Sequence, residues 1–245
     1  MPTRFDPRPD PRPGARPPRR PRRRALAWAF LAAALLLAGC SRNAVEGPPQ
    51  VLYFYDSFFV QGQDPYVLDA LFDAGYLVRR TNDVEVFDAE LRRGRADLVV
   101  ALVQSDGTTA LPLDAAAFER YLGRGGRVLL VDWRRDPTLA RVLDARYTGE
   151  TNLRVARLDD PHLADGVGDR VVLREPGWLT YSMGLRPTEG GVAACAFEND
   201  DACLVLGNGG RSALLGMLGD TLPDDVGATF FANLARHLLR DPGRP

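Results

Sequence analysis

From Gln50 onward, short apolar runs alternate with stretches whose apolar residues recur at helical spacing. "VLYFYD" (51–56) has the near-continuous hydrophobicity of a strand buried on both faces. Asp64-Pro65 then predicts a helix start for "YVLDALFDAG", closed by Gly75. "YLVRRT" reads as a second strand, "VFDAELRRG" as a short helix, and "DLVVALV" (97–103) as a third strand. A helix from Asp114 through "AAAFERYLGRGG" leads to a fourth strand, "RVLLVD" (127–132), and Asp136-Pro137 opens another helix, "TLARVLDA". This βα alternation predicts an α/β fold with a parallel sheet covered by helices on both faces.

The second half is richer in strands. "VVLRE", "WLTYSM", a hairpin around "ACAFENDDACLV" and "SALLGML" all read as extended, before a last helix from Gly227 to Arg240. On that helix Phe230, Phe231, Leu234 and Leu238 form one apolar face.

The first 49 residues follow neither pattern. Residues 1–24 hold nine Arg, two Asp and repeated Pro, a composition that buries no core and supports no helix. Ala25–Ala38 is then uncharged and apolar. That run is shorter than the ~20 residues a membrane-spanning helix needs and suits a signal-peptide core. Leu37-Ala38-Gly39-Cys40 resembles the lipobox of bacterial lipoproteins, in which the cysteine is diacylated on sulfur and becomes the new N-terminus. The resemblance implies cleavage after Gly39 and a chain held on the membrane through lipid on Cys40, facing the periplasm. Ser41, in place of Asp, is compatible with sorting to the outer membrane. The other reading is an uncleaved N-terminal anchor with a chance Cys. The expected organisation is thus a signal peptide over 1–39, a linker over 40–49, and one domain over 50–241.

Cleavage would change the electrostatics. Of 31 basic and 32 acidic residues, nine and two precede Cys40, which leaves 22 against 30 and a net charge near −8. An acidic protein does not suit a nucleic-acid partner. All 31 basic residues are Arg, a bias expected of a GC-rich genome.

Besides Cys40 the chain has two cysteines. With Glu198-Asn199-Asp200 as a turn, Cys195 falls opposite Cys203, close enough for a disulfide in an oxidising compartment. A metal or redox role would call for further ligands or C-x-x-C spacing, and neither occurs. "ENDD" (198–201) likewise lacks the spacing and central Gly of a calcium loop. No metal or cofactor is expected.

"FERYLGRGGRVLLVD" is similar to the helix, Gly-Gly turn and strand before the nucleophile in the class I glutamine amidotransferase-like superfamily. "DDPHLADGV" resembles the His-Pro segment of its ThuA-like and related bacterial branches, with the order of His and Pro reversed. "LGNGGRSALLGML" and "FFANLARHLL" resemble the last strand and helix of the same branches. The resemblance implies a flavodoxin-like layered fold with any site at the C-terminal ends of the parallel strands. The superfamily's enzymes carry a cysteine in a tight G-x-C-x-G elbow, assisted by a His. Here the matching residues are Val131-Asp132-Trp133-Arg134-Arg135, with no Cys, Ser or flanking Gly.

The candidate ligand-binding residues are those placed at strand ends. They are Tyr55, Asp56 and Ser57 after the first strand, Gln104, Ser105 and Asp106 after the third, and Asp132, Trp133 and Arg134, with Arg135, after the fourth. Carboxylate, guanidinium and aromatic groups together suit a polar ligand such as a sugar or peptide fragment, while polar connections are also ordinary for this kind of fold. His162 joins the candidates, with loop packing as its other reading, and His237 is expected at the border of the last helix's core face. Two function classes follow. The first is a non-catalytic envelope lipoprotein binding a polar ligand or an envelope protein. The second is a hydrolase of a carbohydrate or other small polar substrate, with Asp56, Asp106 or Asp132 as acid or base.

Overall fold

The computed structural model describes residues 47–56, 60–103, 113–177 and 179–240, with the side chains of 60–65 outside the description. Cys40, Ser57, Gln104, Ser105 and Asp106 therefore lie outside the described residues, as do the leader, most of the linker and any capping by the Asp64 side chain. The described elements belong to one compact unit, Pro48–Pro245.

The first half alternates as its apolar pattern predicts. Strand β1 (Gln50–Tyr55) is followed by helix α1 (Val60–Asp73), β2 (Leu77–Thr81), α2 (Val84–Arg93), β3 (Leu98–Val103), α3 (Ala115–Gly123), β4 (Val128–Asp132) and α4 (Pro137–Val142). Every residue of β3 and β4 is buried, which accounts for their unbroken hydrophobicity. Asp83, Asp114 and Asp136 cap three helices by accepting from backbone N–H groups of the first turn. Helix α1 starts at Val60, ahead of the Asp64-Pro65 start predicted from sequence.

The second half contains β5 (Ala145–Thr151), β6 (Val155–Leu158), a one-turn helix α5 (Pro161–Ala164), β7 (Arg170–Val172), β8 (Met183–Pro187), β9 (Val192–Phe197), β10 (Ala202–Gly207), β11 (Ser212–Leu215) and α6 (Asp224–Leu239). All eleven strands join one sheet, ordered β2-β1-β3-β4-β11-β10-β9-β6-β7, with β5 paired to β8 and β8 to β10. The pairings among β2, β1, β3, β4 and β11 are parallel, the 2-1-3-4-5 order of flavodoxin-like folds. Those from β11 through β10, β9 and β6 to β7 are antiparallel.

Two apolar layers cover the sheet. One joins α1 and α6 through Val67, Leu71, Phe230, Phe231, Leu234 and Leu238, and the other joins α2, α3 and α4 through Phe87, Leu91, Phe118 and Leu139. The predicted face of the last helix is thus the one it buries. Among the described residues no helix is long and apolar enough to cross a membrane.

The sequence expectation differs further in the second half, where the last helix also begins at Asp224, a turn before the expected Gly227. Of "WLTYSM", residues 179–182 are not a strand: β8 begins at Met183, Ser182 makes an isolated bridge to Met217, and Trp178 lies outside the described residues. The ribbon strand β5 and the short β6 were not anticipated. The cysteine hairpin also carries a bulge. Ala202 pairs with Ala196, but Cys195 then faces Leu204 and not Cys203, which leaves Cys203 as the extra residue. The bulge does not prevent the Cys195–Cys203 disulfide, whose Cα atoms are 5.1 Å apart. Reducing it, or replacing either cysteine with Ala, is expected to lower stability by about 2–3 kcal/mol, as closure of so short a loop predicts. Urea titrations with and without reductant read this directly; coincident curves would show that the bridge constrains nothing.

Candidate functional site

The parallel strands β1, β3 and β4 end side by side, because Tyr55 is level with Leu102 and Val103 with Asp132. Tyr55 is half-buried and Asp56 buried, and the Asp56 N–H donates to Leu102 O at 3.0 Å. The Arg80 guanidinium, at the end of β2, stacks over the Tyr55 ring with 3.9 Å to its centroid. Arg80 was missed from sequence, although the strand-end rule that selected Tyr55 applies equally to "LVRRT".

At the end of β4 the chain turns tightly. Asp132 is fully buried, and its carboxylate accepts from the backbone N–H of Arg134 at 3.1 Å and of Asp136 at 2.8 Å. Arg134 Nε stands 3.6 Å from the same carboxylate. Burial pushes the Asp132 carboxyl above the usual range, against the lowering effect of those two N–H groups and Arg134. Tyr147 on β5 donates its hydroxyl to Asp132 O at 3.1 Å, and burial holds that phenol well above its ordinary pKa. Among the described non-glycine residues in the left-handed region, four are Asp or Asn and the fifth is Arg135, with φ of 57°. The turn after β4 therefore carries the backbone conformation of a tight elbow, with a carboxylate bonding it shut.

Trp133 projects from this turn toward the second half of the chain. Its N–H bonds Val103 O at 2.8 Å and its indole Nε1–H donates to Thr180 O at 3.0 Å. The 179–182 segment is in turn held by Asn152, whose side chain donates to Leu179 O at 2.8 Å and accepts from Tyr181 N–H at 3.0 Å. Thr180, Asn152 and Tyr147 belong to the site's frame and had no strand-end signature in the sequence.

The structure thus brings Tyr55, Asp56, Asp132, Trp133 and Arg134 to one end of the sheet, with Arg80 and Arg135. Asp56 and Asp132 are level on strands two positions apart, about 10 Å at the usual strand spacing, and the latter has both oxygens engaged by backbone. His162 is elsewhere. It is exposed on α5, where its N–H donates to Asp160 Oδ1 at 2.8 Å. Asp160 Oδ2 lies 3.5 Å from Nδ1 of His237, near the end of α6. That helix ends beside the 208–211 turn feeding β11, whose first residue is level with Val128 at the start of β4. Both histidines therefore sit at the opposite end of the sheet from Asp132. His237 is mostly buried, and burial lowers its pKa, partly countered by Asp160. Among the described residues no group of three His, Cys, Asp or Glu side chains could hold a metal ion.

Three arginines, Arg80, Arg134 and Arg135, and two aromatic rings, Tyr55 and Trp133, share this end of the sheet with two buried carboxylates, Asp56 and Asp132. Guanidinium groups offer paired N–H donors and aromatic rings offer stacking faces as general chemistry.

Comparison with known structures agrees on the fold. The chain is similar to a glutamine amidotransferase from Thermotoga maritima, with 12% identity and a TM-score of 0.59 over 80% of this chain and 100% of that one. It is also similar to a proposed GMP synthase component from Thermoplasma acidophilum, with 9% identity and a TM-score of 0.51 over 78% and 95%. No protein-family model and no curated protein matches the sequence.

Proposed function

We propose that this is an envelope lipoprotein, anchored through Cys40, whose amidotransferase-like domain has given up catalysis and binds an anionic or polar ligand, or an envelope protein presenting one, at the ends of β1, β2 and β4. The observation that carries the reading is the state of Asp132. It directly precedes Trp133, which falls at the nucleophile position of the superfamily's elbow, and its carboxylate is fully buried with each oxygen accepting from a backbone N–H of its own turn. A nucleophile or general base must present a lone pair to substrate. Cys195 and Cys203 are joined to each other, so neither offers a thiolate.

Two measurements test this. The purified protein should release no ammonia from glutamine above a buffer control; sustained release would end the non-catalytic reading. Retention of ligand or partner from envelope extracts should fall at least tenfold in Arg80→Ala and Arg134→Ala, since a paired guanidinium contact accounts for roughly that factor. It should be unchanged in Arg170→Ala on the far edge strand. Retention unaffected by both site changes in folded protein would place binding elsewhere.

A further inference from the structure

The other end of the parallel sheet, where the chain enters the domain, carries its own chemistry. Gln50 starts β1 there, with its N–H bonded to Asp97 Oδ2 at 2.8 Å. Around it the loops into β3, β4 and β11 carry Arg93, Arg95 and Arg124, all exposed, with Arg127 and Arg211 partly buried behind them, a patch of positive charge on a protein whose processed form is acidic overall. The loops are contiguous: Arg124 donates to Arg92 O at 3.3 Å, and Arg211 donates to Leu122 O at 2.6 Å. Most acidic groups at this end already have partners. Asp97 holds Gln50, Glu90 is shared between Arg79 and Arg93, Asp144 accepts from Asn208 N–H at 2.6 Å, and Asp160 lies 3.5 Å from His237, while Asp73 is exposed at the end of α1.

Beside the chain entry lies a cavity of about 640 Å³, lined by Gln50, Phe72, Leu77, Arg79, Arg93 and Arg95 among others. Phe72 and Leu77 are 54% and 56% exposed, unusual for large apolar side chains. Arginines ringing exposed apolar groups match the two layers of a bilayer surface, phosphate outside and hydrocarbon beneath.

We propose that this entry face lies against the anionic phospholipid surface of the membrane that carries the anchor, with headgroup phosphates on Arg93, Arg95 and Arg124, and Phe72 and Leu77 at the headgroup boundary. The inference rests on the lipid-anchor reading for its geometry. A lipid on Cys40 is tied to Gln50 by ten residues, at most about 35 Å of extended chain, which keeps the entry face within reach of the bilayer while the charge and exposed apolar groups select it. The opposite end, with Tyr55, Asp56 and Trp133, then points into the periplasm, open to ligand.

The test reconstitutes the protein isolated from envelopes, and the double variant Arg93→Gln/Arg95→Gln, into vesicles of phosphatidylcholine alone or with a third phosphatidylglycerol. Flotation reads the anchor and hydrogen exchange reads the face. Exchange in 92–97 and 124–128 should slow several-fold with phosphatidylglycerol and not with phosphatidylcholine alone. The double variant should lower the docked-to-undocked ratio about thirtyfold, the factor that two arginines supply at an anionic surface. Arg154→Gln/Arg170→Gln, on the far edge, should behave as wild type. Equal exchange on both vesicles, with the protein floating on both, overturns the face and leaves the anchor standing. Flotation on phosphatidylglycerol vesicles alone overturns the anchor and supports the face. Flotation on neither overturns both.

Discussion

Replacing Asp132 with alanine is expected to destabilise the domain by about 2–4 kcal/mol, because the two backbone N–H groups it serves lose a buried partner that water does not replace. These are the donors of Arg134 and Asp136, and Asp136 is itself the cap of α4. The damage should therefore spread from the turn into the first turn of that helix. Asp132→Asn keeps one acceptor oxygen and sets an NH₂ against the other N–H, so it should cost less than alanine but not nothing. The pH dependence has a definite sign. Burial holds the folded carboxyl above its ordinary value. The native chain thus takes up this proton at a higher pH than the unfolded chain, and the resulting contribution is fully present on the acid side and lost as pH rises through the folded value. The stability gap between wild type and Asp132→Asn should accordingly be wider at about pH 4 than at about pH 7. Urea unfolding of the three proteins at both values measures it. An alanine variant within about 0.5 kcal/mol of wild type, the range of ordinary surface changes, would mean that the carboxylate does not hold the turn.

The same residue shows what a sequence reveals about such a site. Its position was legible, since an apolar run ending in "VD" before a capped helix places Asp132 at a strand's C-terminal end. Its role was not, because its partners are main-chain N–H groups two and four residues on, which no side-chain pattern records. The Asx-turn habit of Asp was the available hint. Buried strands such as "LVVALV" declare themselves by hydrophobicity alone. The polar ribbon "ARYTGET" does not, for β5 is mostly half-buried or exposed and pairs only with β8. Tyr181 and Ser182 mimic a strand in composition, yet Asn152 and Leu153 claim their hydrogen-bonding groups from outside any ladder. His162 was misplaced for a topological reason. The chain crosses into the antiparallel half before reaching it, and nothing local to "DDPHLADGV" says at which end of the sheet it returns.

A single added methyl at Gly216 is expected to disturb both the sheet junction and the strand-end cluster, at a cost of about 3 kcal/mol or more for overpacking against backbone. This glycine interrupts "SALLGML" where the sheet forks. Its N–H donates to Cys203 O at 2.9 Å, and its carbonyl accepts from Met183 N–H at 2.6 Å. A Cβ placed there would lie 2.2 Å from Met183 O and 3.2 Å from the Leu185 side chain. The nearest obstacle is main chain, so no rotamer change relieves it. Strand β8 must move away, and Ser182, bridged to Met217, would move with it. The neighbouring Thr180 carbonyl, acceptor for the Trp133 indole at 3.0 Å, lies on the same segment. Gly216→Ala should therefore shift Trp133 emission to the red in a Trp28→Phe/Trp178→Phe background, while also lowering the unfolding midpoint. Gly123→Ala supplies the contrast. That position ends α3, a Cβ there meets nothing within 4 Å, and the change should be neutral or stabilising by up to about 1 kcal/mol. If Gly216→Ala leaves both the midpoint and the Trp133 emission where Gly123→Ala leaves them, the close crossing of β8 over the end of β11 is not what frames the site.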